Sequence, residues 1–174
     1  MASSSRRRFL RRGLIGGALL LGAGAAGALG LQLWPTRMRR PRRAPQVLDT
    51  RELSIVAAAA EVIAPGGDAL EVAHRVDEFL SGQGPPSQRD FRRLLLLLES
   101  GLAGALLDGR PAPLSRLSLD GRARALEAMR DSRLDVRRGG YQVLRRLCAS
   151  MRWTDPAAWA ELGYVGPPQI GPPT

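Results

Sequence analysis

Asp49–Pro65 reads DTRELSIVAAAAEVIAP, and its spacing decides the fold class. Leu53, Val56, Ala60 and Ile63 recur at helical intervals and make one apolar stripe. Asp49 followed three residues later by Glu52 has the form of a capping box at the start. Ala64-Pro65-Gly66-Gly67 ends the helix, because proline and paired glycines cannot continue it.

Working toward the C-terminus, the same logic repeats. Asp68 can cap a second helix with Leu70, Ala73, Val76, Phe79 and Leu80 inward, closed by Gly82 to Pro86. Ser87 can cap a longer helix carrying Phe91, Leu94, Leu95, Leu98, Leu102 and Leu106. Its run of five leucines, 94–98, wraps most of the helix surface, so this helix is expected at the centre of the bundle. After a turn at Gly109 to Pro113, Ser118 or Asp120 can cap a helix reaching about Ser132. Leu134 to Met151 predicts another, with Leu134, Tyr141, Leu144, Leu147, Cys148 and Met151 inside. Asp155-Pro156 opens a last short helix with Trp159 and Leu162, proline being already shaped for the first helical position. No stretch after residue 47 alternates over a strand length. Residues 48–164 are therefore expected to be an all-α, compact bundle of five to six helices. The tail 165–174, with four prolines, cannot pack as regular structure.

Toward the N-terminus the composition changes. The net charge is +10, yet ten arginines precede residue 44 and no acid precedes Asp49. From residue 44 onward sixteen arginines face sixteen acids, so the body is formally neutral. A neutral body lacks the electrostatic footprint that nucleic-acid phosphates require. Residues 35–47 carry five arginines and three prolines and read as an extended basic linker able to lie against anionic lipid.

Ser5-Arg6-Arg7-Arg8-Phe9-Leu10-Arg11 resembles the twin-arginine export motif, with Arg6, Arg7, Phe9 and Leu10 as its signal residues. The 22 uncharged residues Gly13–Trp34 follow, seven of them glycine, a weakly apolar stretch suited to such a signal. As a helix they would reach about 33 Å, enough to cross a hydrocarbon core. Ala23-Gly24-Ala25 and Ala26-Gly27-Ala28 are candidate cleavage sites, so residues 1–34 read equally as a cleaved signal or a retained membrane anchor helix. Either way the expected location is the periplasm, with anchorage to the inner membrane if the segment is kept.

Chemistry-bearing residues are few. His74 is the single histidine; with Asp77 and Glu78 one turn away, it reads as a surface or partner-contact residue. Cys148 is the single cysteine, so it forms neither an intramolecular disulfide nor a thiolate metal cluster, and its apolar neighbours suggest burial. Asp131 and Asp135 sit one turn apart among arginines and read as a solvated charged face. Gly139-Gly140 does not follow a strand, as a phosphate-cradling loop would. No catalytic, cofactor-binding or metal-ligating set emerges. Trp153, Trp159 and Tyr164 fall within twelve residues and are candidate partner contacts, with Pro167 and Pro168 in the tail beyond them.

Pro113–Ser118 (PLSRLS), Arg122–Arg133 (RARALEAMRDSR) and above all Asp155–Pro168, of the form D-P-x-x-W-x-x-L-G-Y-x-G-P, resemble the small subunit, or subunit 3, family of gluconate 2-dehydrogenase. Ile63-Ala64-Pro65 and the V-x-x-F-L of Val76–Leu80 agree, although Ala64 stands where a bulkier residue is frequent. The resemblance covers about residues 50–168. It implies a non-catalytic accessory subunit that accompanies a large flavoprotein dehydrogenase of the glucose–methanol–choline type, sometimes with a cytochrome c subunit. FAD, and haem c where present, would belong to those partners and not to this chain. The small subunit of this family commonly carries the signal read by the twin-arginine translocase, which exports folded cargo. The alternative is a membrane-anchored helical interaction or scaffold protein without a redox partner; a small enzyme in its own right would have to turn over alone.

Overall fold

The computed structural model describes residues 35–100, 109 and 112–166. Its organising element is α1, Thr50–Ile63. The capping box forms as the sequence predicts: Glu52 N–H donates to Asp49 Oδ1 at 2.7 Å and Asp49 N–H to Glu52 Oε2 at 2.9 Å. Every residue from Glu52 to Ala60 is buried, so α1 has no solvent face over those turns. Four consecutive alanines explain this, since side chains of one carbon let neighbouring helices close in from all sides.

The other helices surround α1: α2 (Ala69–Ser81), α3 (Pro85–Glu99), α4 (Leu119–Arg130), α5 (Asp135–Trp153) and the short α6 (Pro156–Trp159). Single 3₁₀ turns occupy Leu114–Arg116 and Ala160–Leu162. Among the described residues there is no strand. The architecture is an all-α bundle, and α1 packs on α2, α3, α4, α5 and the first 3₁₀ turn. Its core gathers Leu53, Val56, Val76, Leu95, Leu126 and Leu144.

Asp68, Ser118 and Asp155 each accept a hydrogen bond from the first turn of the helix they precede. The third helix differs from expectation. It begins two residues before Ser87, with Gly84 as the flanking residue and Pro85 in the first helical position, where a missing N–H costs nothing. It ends at Glu99; Leu102 and Leu106 lie outside the described residues. Nor is it central: Leu95 and Leu98 are buried, whereas Leu96 is 55% exposed. Arg89, Asp90 and Arg93, ahead of the leucine run, are exposed and keep one side of α3 in water, and the alanine helix takes the middle instead. Two more expected inner residues face outward: Phe79 is 43% exposed and Leu134, just before α5, 49%.

Among the described residues no helix is long and apolar enough to cross a membrane. Arg6, Arg7, Phe9 and Leu10 of the export motif, the stretch Gly13–Trp34, and Pro167 and Pro168 lie outside the described residues.

Candidate functional site: a docked arginine strap, an aromatic corner and an apolar cleft

The basic segment 35–47 is extended, as its prolines require, but it is not a free linker. It lies along the bundle as a strap. Thr36 is buried and its Oγ1 accepts from Arg51 Nε at 2.7 Å. The backbone N–H groups of Arg37 and Arg39 donate to Ser115 Oγ and Ser54 Oγ at 3.0 and 2.9 Å. Those of Gln46, Val47 and Leu48 all converge on the Asp77 carboxylate at 2.6–3.0 Å. Three of the five arginines are committed to internal ion pairs: Arg39 with Glu61, Arg42 with Asp68 and Arg43 with Glu71. The Arg43 guanidinium holds the Glu71 carboxyl below its usual range, chiefly through their hydrogen bonds.

His74 belongs to the same seam, which overturns its reading as a surface residue. It is only 2% exposed, and its Nε2 accepts from the Arg42 backbone N–H at 3.3 Å. Burial lowers its pKa from the ordinary value, and the Arg43 charge adds to that, against the opposing pull of Glu71 and Asp77. A neutral ring is needed for Nε2 to act as an acceptor. Below the strap, Glu99 accepts from both the backbone and the hydroxyl of Ser115. Arg122, also buried, bridges Glu61 to the carbonyls of Leu114 and Ser115. These buried charges therefore hold the strap, the 3₁₀ turn and α1 together.

Cys148 is buried among core residues, and desolvation pushes its thiol up to about 12. Asp131 is exposed and paired with the neighbouring Arg130. No group of three or more His, Cys, Asp or Glu side chains among the described residues is placed to hold a metal ion.

Two of the three aromatics of the C-terminal region stack, and the third is joined to them through its backbone. Trp159 and Tyr164 stack edge to face, with ring centroids 5.4 Å apart, and Trp159 Nε1 donates to the Trp153 carbonyl at 2.9 Å. Gly163, at φ +64°, makes the reversal that returns Tyr164 to Trp159. Arg152 is buried beneath; it pairs with Glu161 and lies 5.5 Å from the Trp153 ring centre. Trp153 and Tyr164 remain 41% and 47% exposed.

A second surface escaped the sequence reading. Between the end of α2, the middle of α3 and α5 opens a cleft of about 770 Å³ walled by Phe79, Leu94, Leu97, Val136, Val143 and Leu147. Its polar residues include Gln83, Ser87 and Arg146. Gly140 shapes its floor, because a Cβ there would come within 2.6 Å of Leu94. Phe79, Leu94 and Leu147 lie on the inner stripes expected for their own helices and Leu97, Val136 and Val143 do not; only the packing brings the six together and leaves them uncovered.

Compared with protein-family models, curated proteins and solved structures, the chain has no match.

Proposed function

We propose that this chain is a non-catalytic accessory subunit that escorts and stabilises an exported flavin dehydrogenase of the glucose–methanol–choline type. The reading begins from the resemblance of residues 50–168 to the gluconate 2-dehydrogenase small subunit and from the twin-arginine-like leader. The observation that carries it is the apolar cleft between α2, α3 and α5. Phe79, Val136 and Val143 are 43%, 72% and 45% exposed around it, on a chain whose buried histidine, cysteine and carboxylates serve packing and hydrogen bonding. An uncovered apolar surface on a small domain is a feature of protein–protein contacts. The aromatic corner offers a second anchor, with Trp153 and Tyr164 partly exposed.

In this arrangement the flavoprotein holds FAD and reads the substrate. A cytochrome c subunit would accept the electrons, and the small subunit supplies the export signal and a docking face. Purification of the tagged chain from its native host, followed by an absorbance scan, tests this. Co-purification of a large flavin-containing polypeptide is the expected result. A chain recovered alone, with no flavin or haem absorbance, favours the scaffold alternative, and substrate oxidation by the isolated chain overturns both.

A further inference from the structure

The uncharged stretch Gly13–Trp34 ends one residue before Pro35, and Pro35 is already part of the folded body. Its carbonyl accepts from Arg116 Nε, and Thr36 is buried next to it. Twelve free residues would let a domain swing about 40 Å from an anchor in any orientation. The docked strap leaves no such slack.

Around that junction the surface has a distinct make-up. Met38 and Leu119 are 57% and 55% exposed, and both line one shallow depression together with Arg37. Arg116, bonded to the Pro35 carbonyl, is exposed as well. Arg37, Arg40 and Arg116 have no acidic partner among the described residues, unlike Arg39, Arg42 and Arg43. Glu61, which also borders the depression, is held between Arg39 and Arg122, which leaves Asp120 as the exposed acid beside Leu119.

We propose that the face formed by Arg37, Met38, Arg116 and Leu119 rests on an anionic bilayer surface when Gly13–Trp34 is inserted as an anchor. The occupant follows from where the apolar stretch joins the body, together with the chemistry of the face. Two exposed apolar side chains with Arg37 beside them and Arg116 at the Pro35 junction, neither arginine having an acidic partner among the described residues, match the headgroup boundary of an acidic membrane. The face is narrower than the whole 35–47 segment, since the pairs on Glu61, Asp68 and Glu71 remain closed. This inference rests on the anchor reading of the leader and is independent of the flavoprotein.

The test uses the full chain reconstituted into vesicles containing about one-third phosphatidylglycerol. Leu119→Cys and, separately, Val143→Cys are labelled with a fluorophore, Cys148 being buried. Val143 lines the cleft, which shares no residue with the depression at Met38. A quencher carried on lipid headgroups is expected to remove at least about half the emission at position 119 and little at 143, as for a probe within roughly 10 Å of the interface. Adding Arg37→Glu, which leaves the internal pairs intact, should lower quenching at 119 toward the level seen in uncharged phosphatidylcholine vesicles. A chain that floats with the vesicles but is quenched equally at both positions overturns the membrane face while leaving the anchor standing. A chain that stays in the aqueous fraction overturns both.

Discussion

Asp77 Oδ1 lies 2.7 Å from the backbone nitrogen of Leu48, twenty-nine residues earlier in the chain, and the same carboxylate also accepts from the N–H groups of Gln46 and Val47. One buried side chain on α2 thus fixes the path of the strap into α1. Asp77→Ala removes a charged acceptor from three donors, one of them fully inside. A loss of about 3 kcal/mol or more is expected in urea unfolding. Asp77→Asn, which keeps one acceptor oxygen, should cost less. A loss below about 1 kcal/mol for alanine would mean that the strap contributes little to stability.

His74 gives the strap a pH dependence. Its folded-state pKa is lowered below the ordinary 6.5, so the unfolded chain takes up the proton first as pH falls. Stability is therefore complete above about 6.5 and declines as pH drops toward the lower folded value. The urea midpoint of the native chain should fall between pH 8 and pH 5 more steeply than that of His74→Gln, which has no proton to gain. Parallel curves for the two proteins would remove His74 from the account.

The leucine run supplies a comparison within one helix. Leu95 is fully buried against the core and Leu96 is 55% exposed. Leu95→Ala should destabilise by about 2–5 kcal/mol and Leu96→Ala by no more than about 0.5 kcal/mol. Equal losses would show that the five-leucine helix is enclosed on all sides after all.

At the aromatic corner, Gly163 has no neighbour within 4 Å of the place a Cβ would occupy, so only its left-handed backbone resists substitution. Gly163→Ala should cost about 1–2 kcal/mol and loosen the Trp159–Tyr164 stack. Tryptophan fluorescence would report that change. An unchanged spectrum with unchanged stability would show that the turn does not hold Tyr164 in place.

Cys148 should resist iodoacetamide at pH 8 in the native protein, since its thiol titrates only near 12 and has no route to solvent. Denaturant should expose it. Rapid native alkylation would contradict its burial.

Local signals account for what the sequence made legible. Asp49 with Glu52, Asp68, Ser118, and Asp155 before Pro156 act within one helical turn, so their roles follow from spacing alone. The strap was opaque because Pro35–Val47 has the same composition whether docked or free; Ser54, Ser115 and Asp77, which dock it, lie 15 to 78 residues away. His74 misled for the same reason, its Arg42 partner being thirty-two residues upstream. Leucine content pointed to α3 as the central helix, whereas the small side chains of Ala57–Ala60 decided the matter. The aromatic trio could be found by proximity in sequence; the cleft could not, because Phe79, Leu94 and Val143 come from three helices.

The contact between Pro35 and Arg116 spans 81 residues of chain. It can close only once the 3₁₀ turn at Leu114–Arg116 exists and has settled against α1. A half-made polypeptide therefore leaves Pro35 on a slack thread, and a finished one fixes it against the body. The fixing of Pro35 becomes a report on whether the rest of the molecule has matured.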